Sequence, residues 1–297
     1  MQPATSYFPP ETRGKKGTEH MHTRIAALLA TMALAMLLAS GMASAITYGQ
    51  PDEGRHPYVG TPVYADEQGE FTGCTGTLIA PDVYLSAAHC TPTLGELEQF
   101  GAEFRGVQFD DVYDPGTSRV YPGTPHIHPG WPGTSSVSGV GPDFHDIGVV
   151  VLDDPVAGIQ PASLPSAGLL DQMANDGELQ DQRFTVVGYG TTEQRTHEPG
   201  SGRPFFDGYG TRRYAVSSFS ALSPEFLRLS INPSTGDSGA CYGDSGGPNF
   251  LGAGAAETNI VAGTTITGDA LCKSTNVIYR TDTPSARNFL SGFVTLP

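Results

Sequence analysis

The sequence predicts an all-β fold, in sandwich or barrel form, for most of the chain. The apolar segments are short and set apart by turn formers, in 297 residues that hold 38 glycines and 24 prolines. No long run between them repeats apolar residues with helical spacing. The single clear helical pattern lies at the C-terminus, so helices are not layered against the strands.

In chain order the candidate strands are Tyr58–Tyr64, Thr75–Ile79, Val83–Leu85, Ile147–Leu152, Phe184–Val187, Leu227–Ile231 and Ile260–Ala262. The stretch Asp153–Leu169, with Pro155, Pro161 and Pro165, reads as a linker between two β halves. Thr191–Arg213, rich in glycine and charge, reads as a loop. At the C-terminus Thr283 is a fitting helix cap and Pro284 a fitting first-turn residue. Ala286, Phe289, Leu290 and Phe293 then share one face, which is expected to dock on the β structure. The segment has too little positive charge for a membrane-surface helix.

The N-terminal residues follow a different grammar. Arg24, the apolar run Ile25–Leu38 and the small residues Ala43-Ser44-Ala45 make the three parts of a secretory signal peptide. A membrane anchor is the competing reading, but a bilayer needs roughly 20 apolar residues. The residues before Met21 are polar, and either Met1 or Met21 suits a start. Residues 1–45 are therefore expected to be a tail and leader, and cleavage after Ala45 leaves Ile46–Pro297, 252 residues.

That remainder holds 12 basic and 29 acidic residues, a formal charge of −17, with Lys273 its only lysine. Such a surface repels phosphate backbones and anionic lipids, so nucleic acid and membranes are not expected partners. All four cysteines, Cys74, Cys90, Cys241 and Cys272, fall in the exported part, where two disulfides are expected in one of three pairings. A zinc site competes weakly, because no C-x-x-C pair occurs.

Three motifs carry chemistry. Gly243-Asp244-Ser245-Gly246-Gly247-Pro248 sets a serine on a tight glycine turn, where backbone N–H groups can face a developing oxyanion. A glycine-rich surface turn is the bland reading. In Ser86-Ala87-Ala88-His89-Cys90 a histidine follows small residues and precedes a cysteine able to pin it. Asp146 opens the apolar run Ile147–Leu152, where a carboxylate needs a partner to offset its desolvation. An imidazole N–H meets that need, as would turn amides.

In the order His, Asp, Ser these motifs resemble the trypsin/chymotrypsin family of serine proteases, over most of residues 46–297. The resemblance implies two six-stranded antiparallel β-barrels with the active site between them, plus the C-terminal helix. Residues 46–160 would carry His89 and Asp146, and residues 161–297 would carry Ser245 and the specificity pocket. It implies a secreted, extracellular, monomeric endopeptidase that uses no cofactor or metal and acts on proteins or peptides, with protein inhibitors as further partners.

Residue by residue, Ser245 is the implied nucleophile, His89 its base and later acid, and Asp146 the group that orients His89. The N–H groups of Gly243 and Ser245 form the implied oxyanion hole. The implied disulfides are Cys74–Cys90 and Cys241–Cys272. Ile46-Thr47-Tyr48-Gly49 resembles the family's activated N-terminus, so the α-ammonium of Ile46 would pair with Asp244. Because Ile46 directly follows the expected cleavage site, signal peptidase itself would create the active end.

The likeness thins at the specificity pocket. The floor position is Gly239, followed by Ala240, with Gly268 on the wall, so an uncharged pocket for large apolar or aromatic side chains is expected. Asp237 would alter that if the loop register differed. Thr264–Gly268 replaces the family's usual Ser-Trp-Gly wall. Asp110, Asp111 and Asp114 read as a solvated acidic turn before they read as a calcium loop. An α/β-hydrolase esterase is excluded, because that fold places its histidine after the serine and the last histidine here is His197. The remaining rival is a binding protein that keeps the protease fold without activity.

Overall fold

The computed structural model describes residues 46–91, 101–133, 143–192, 194–195, 205–206 and 209–297. The leader, including Ala45, and most of the predicted loop after Thr192 lie outside the described residues. Among the described residues no helix is long and apolar enough to cross a membrane.

The first half of the fold is built from β2 (Val59–Asp66), β3 (Gly69–Thr72), β4 (Gly76–Ala80), β5 (Val83–Ser86), β6 (Glu103–Gln108), β7 (Gly123–Ile127) and β8 (Gly148–Leu152). Their order in the sheet is β3-β2-β4-β5-β8-β7, and β6 also pairs with β2. A single bridge between Val107 and Tyr121 links β6 to the chain entering β7, so the sheet curls into a partial barrel. β8 is an unbroken apolar run because neighbours cover both of its faces.

A short β1 (Gln50–Pro51) crosses to the second sheet, which follows the helix α1 (Leu169–Asn175). That sheet comprises β9 (Arg183–Gly188), β12 (Arg213–Leu222), β13 (Phe226–Ser230), β14 (Pro248–Leu251), β15 (Val261–Gly268) and β16 (Thr275–Arg280). β9 pairs with both β14 and β12, which closes these six strands into a barrel. A small antiparallel pair, β10 (Gln194–Arg195) with β11 (Phe205–Phe206), stands apart. The chain ends in α2 (Pro284–Leu290), where the Thr283 hydroxyl accepts the Ala286 N–H at 3.3 Å. The expected all-β class and C-terminal helix are thus observed.

Every candidate strand has its counterpart, while β6, β7, β12, β14 and β16 carry weaker signals. β6 (Glu-Phe-Arg-Gly-Val-Gln) mixes charge and glycine, β7 holds Pro125, and β12 is rich in serine. β7 ends the sheet, where a missing proline N–H costs little. Helix α1 begins where the predicted linker ends and buries only Leu170 and Met173, too few to announce a helix.

One core cluster joins both sheets to α2, with Val59, Leu85, Ile147, Val187, Phe250, Tyr279 and Leu290 among its members. Beside it lies a charged knot. Arg212, 2% exposed, donates to Asp52 at 2.8 Å, to the carbonyls of Val59 and Phe109, and to the Tyr189 hydroxyl. Its remaining amino group bonds Asp111. His56 in turn lies between Asp52 and Glu257, stacked on Phe250. The knot ties the entering chain to both sheets. Arg212→Ala leaves buried Asp52 with His56 as its remaining partner and is expected to lower unfolding free energy by about 3 kcal/mol. Urea denaturation followed by circular dichroism checks this.

Candidate active site

Strand register brings the first two motifs together. β5 and β8 are antiparallel, with Ser86 opposite Gly148. The residues just past Ser86 therefore lie beside those just before Gly148. His89 sits in a single 3₁₀ turn, Ala88–Cys90, held by the Cys74–Cys90 disulfide and by the Tyr64 hydroxyl on the Cys90 carbonyl. Its Nδ1 donates to Asp146 Oδ2 at 2.8 Å, and its backbone N–H donates to Asp146 Oδ1 at 3.0 Å. Asp146 is fully buried while His89 keeps 22% of its side chain exposed. Both carboxylate oxygens thus serve the histidine, and the outer face of its ring is open.

Ser245 stands on the glycine turn after the Cys241 segment. Gly243 and Gly246 have φ of +91° and +78°, which side chains with a Cβ resist. A Cβ on Gly246 would also strike Ser86 and the Thr75 carbonyl. The turn is tied to both sheets, since Thr75 N–H donates to the Ser245 carbonyl at 2.8 Å and Gly246 N–H to Thr265 at 2.7 Å. Asp244 and Gly247 spend their N–H groups within the turn and Gly246 gives its own to Thr265, whereas those of Gly243 and Ser245 have no acceptor among the described residues. Thr75 is a buttress that no sequence motif announced: its hydroxyl donates to the Gly243 carbonyl at 3.0 Å. His89 and Ser245 line one cleft of about 290 Å³, so the three motifs converge on a single site.

The family model described as Trypsin matches residues 48–289. The chain belongs to the trypsin family. Among curated proteins none matches the sequence. The all-β architecture is that of a trypsin-like serine protease fold, and the chain carries the two disulfides Cys74–Cys90 and Cys241–Cys272.

Within that trypsin fold the cleft beyond Ser245 is walled by Ala240, Cys241, Tyr242 and the end of β15 through Gly268. Gly239 does not line it. Its backbone instead pairs with Thr47 through bonds of 3.0 and 3.3 Å, and Ile231 fills the space a side chain would need. Thr265 and Asn276 add neutral polar groups to the lining of the cleft. The Asn276 amide donates to Asn249 at 3.1 Å and to the Thr265 hydroxyl at 3.2 Å. Asp269 reaches the lining, but its carboxylate accepts the N–H groups of Ser274 and Thr275, at 2.8 and 2.9 Å, within its own loop. Asp237 faces Ser218, Thr235 and Arg183 rather than the cleft. The Tyr242 hydroxyl donates to the Ala270 carbonyl at 3.3 Å, joining the two sides of the mouth near the Cys241–Cys272 bridge.

The acidic turn is self-contained. Asp114 accepts from Gly116 N–H and the Thr117 hydroxyl, both at 2.9 Å, and Asp111 is held by Arg212. Cys74, His89 and Cys90 come close enough to suggest a metal group, yet sulfurs joined in a disulfide offer no thiolate.

Ile46 is fully buried and adopts a φ of +53°, with its carbonyl accepting the Gly49 N–H. Asp244 is equally buried. Burial pushes its carboxyl up to about 7, against the pull of the Cys241 and Gly190 N–H groups, each at 2.8 Å. No cationic side chain among the described residues pairs with it. A carboxyl that holds its proton more tightly folded than unfolded costs stability as pH rises between the two values. With the leader attached, a Ser245→Ala protein should therefore lose stability from about pH 4 to about pH 7 and level off above. Thermal melts across that range check this, and Asp244→Asn should flatten the profile.

Proposed function

We propose that the chain is a secreted serine endopeptidase that cleaves peptide bonds through an acyl-enzyme at Ser245. The observation that carries this is the two-point contact of Asp146 with His89, in the cleft that Ser245 shares. A carboxylate accepts only, so Nδ1 of His89 holds its proton there and Nε2 is left as the base. Ser245 Oγ attacks the scissile carbonyl while His89 takes its proton. Negative charge grows on the carbonyl oxygen, where the unused N–H groups of Gly243 and Ser245 receive it. His89 then protonates the leaving amine, and water repeats the sequence to release the acid. No cofactor takes part.

In this reading residues 46–160 supply base and orienting carboxylate, and residues 161–297 supply nucleophile and pocket. The pocket takes large apolar or aromatic side chains, because Ala240, Ile266 and the Cys241–Cys272 bridge give its lining apolar surface and Asp269, the carboxylate on that lining, is directed to backbone N–H groups of its own loop. The protein works as an extracellular monomer on protein or peptide substrates, and protein inhibitors block the same cleft.

Digestion of a diverse peptide library, read by mass spectrometry with Ser245→Ala alongside, tests this. Cuts after Phe, Tyr, Leu or Met by the unmodified protein alone are expected. Cuts after Arg or Lys would keep the nucleophile and overturn the neutral pocket. An absence of cuts, with Ser245 inert to a fluorophosphonate, would make the chain a binding protein of protease fold.

Activation belongs to the same proposal. Cleavage after Ala45 frees the Ile46 α-ammonium, and a cation beside Asp244 relieves the burial of that carboxylate. Signal peptidase thereby yields the working enzyme without a stored zymogen. N-terminal sequencing of active secreted protein should read Ile-Thr-Tyr-Gly, and any other start would remove this route.

A further inference from the structure

The turn that delivers Asp146 is itself constrained. His145, the residue before it, has a φ of +53°, a left-handed conformation that side chains with a Cβ seldom adopt. Ile147 N–H closes on the His145 carbonyl at 2.8 Å, which leaves Asp146 at the tip of a tight bend. Such a backbone persists only when its surroundings over-determine it.

Those surroundings are specific. His145 N–H donates to Asp143 Oδ1 at 2.8 Å, and its ring Nδ1 lies 2.9 Å from Ser285 Oγ and 3.1 Å from Asp143 Oδ2. Asp143 also accepts the Tyr279 hydroxyl at 3.1 Å. The His145 ring stacks on His128 with centroids 4.3 Å apart and planes 4° from parallel, and Gly130 leaves room for it. His128 packs in turn on Phe289 of α2. The titratable groups facing His145 are thus Asp143, His128 and Tyr279. Burial, then the neighbouring His145, holds His128 below its ordinary value, against Asp143 and the Ser285 backbone. Ser285 lies 140 residues from His145, in the first turn of α2.

We propose that His145 is a positioning residue for the peptidase reaction: the start of the C-terminal helix, through Ser285, clamps its ring and so aims Asp146 at His89. This rests on the peptidase reading above. The chain of contacts runs from Ser285 Oγ to the His145 ring, through a strained backbone to Asp146, and from both Asp146 oxygens to His89. Loosening the clamp lets the carboxylate drift while the substrate cleft, walled by other segments, keeps its shape.

The test compares the wild type with His145→Ala, His145→Asn and Ser285→Ala, each normalised by active-site titration so that folded fraction does not enter. His145→Ala should lower kcat roughly tenfold with KM little changed, since small misplacements of catalytic groups cost rate rather than binding. The acid limb of kcat/KM should move to lower pH, because a His89 imidazolium less well met by Asp146 releases its proton sooner. Ser285→Ala should move both in the same direction by less. His145→Asn should restore most of the rate, as asparagine tolerates positive φ and its amide can bond Ser285. If His145→Ala fails to fold, Ser285→Ala and His145→Asn decide. Unchanged kcat and acid limb, or a rise in KM alone, would overturn the proposal. A wild type that neither labels at Ser245 nor cuts peptides would sink the peptidase reading with it.

Discussion

Burying a carboxylate is the constraint around which this molecule is arranged, and it is met differently at each place where it arises. Asp52, Asp146, Asp244 and Asp282 are all removed from solvent. An uncompensated buried charge costs several kcal/mol, so each must be answered by donors or by a proton. Burial works against ionised Asp52, but His56 and Arg212 outweigh it and hold that carboxyl at about 2. Asp282 is gripped by Arg280, itself fully inside the second barrel. These two are permanent fastenings.

The other two carboxylates meet no guanidinium among the described residues. Asp146 meets a histidine, whose ring and backbone N–H groups take one oxygen each. Among the described residues Asp244 meets two backbone N–H groups and no cationic side chain, and burial pushes its carboxyl up to about 7. Asp244 also sits in the glycine turn beside Ser245.

The two β structures divide these duties. The partial barrel sets His89 against Asp146 through the β5–β8 register, and the closed barrel presents the serine turn at the start of β14. Crossing contacts hold them: Thr75 on the Gly243 carbonyl, β1 on β12, and the Arg212 knot. Helix α2 and the turn after it return from the second sheet to pack Phe289 on His128, just past β7, and Phe293 on His126 within it.

The site was legible in the sequence because its chemistry needs particular residues in short, contiguous runs. A serine between two glycines, a histidine fastened by the next cysteine, and an aspartate heading an apolar strand all declare themselves locally. The apolar strands did so too, since burial on both faces leaves no polar positions. Edge and polar strands such as β6, β7 and β12 stayed hidden, because pairing with a neighbour supplies the order their own residues lack. Gly239 illustrates the limit at finer scale. Its place relative to Ser245 suggested a pocket floor, whereas Thr47 claims its backbone and Thr265 and Asn276 are among the residues that line the cleft instead. The sequence alone determined the class of fold and the identity of the three motifs. Only the tertiary structure decided which donors meet which buried carboxylate, because Arg212 with Asp52 and Gly190 with Asp244 stand 160 and 54 residues apart, and no local pattern encodes such meetings.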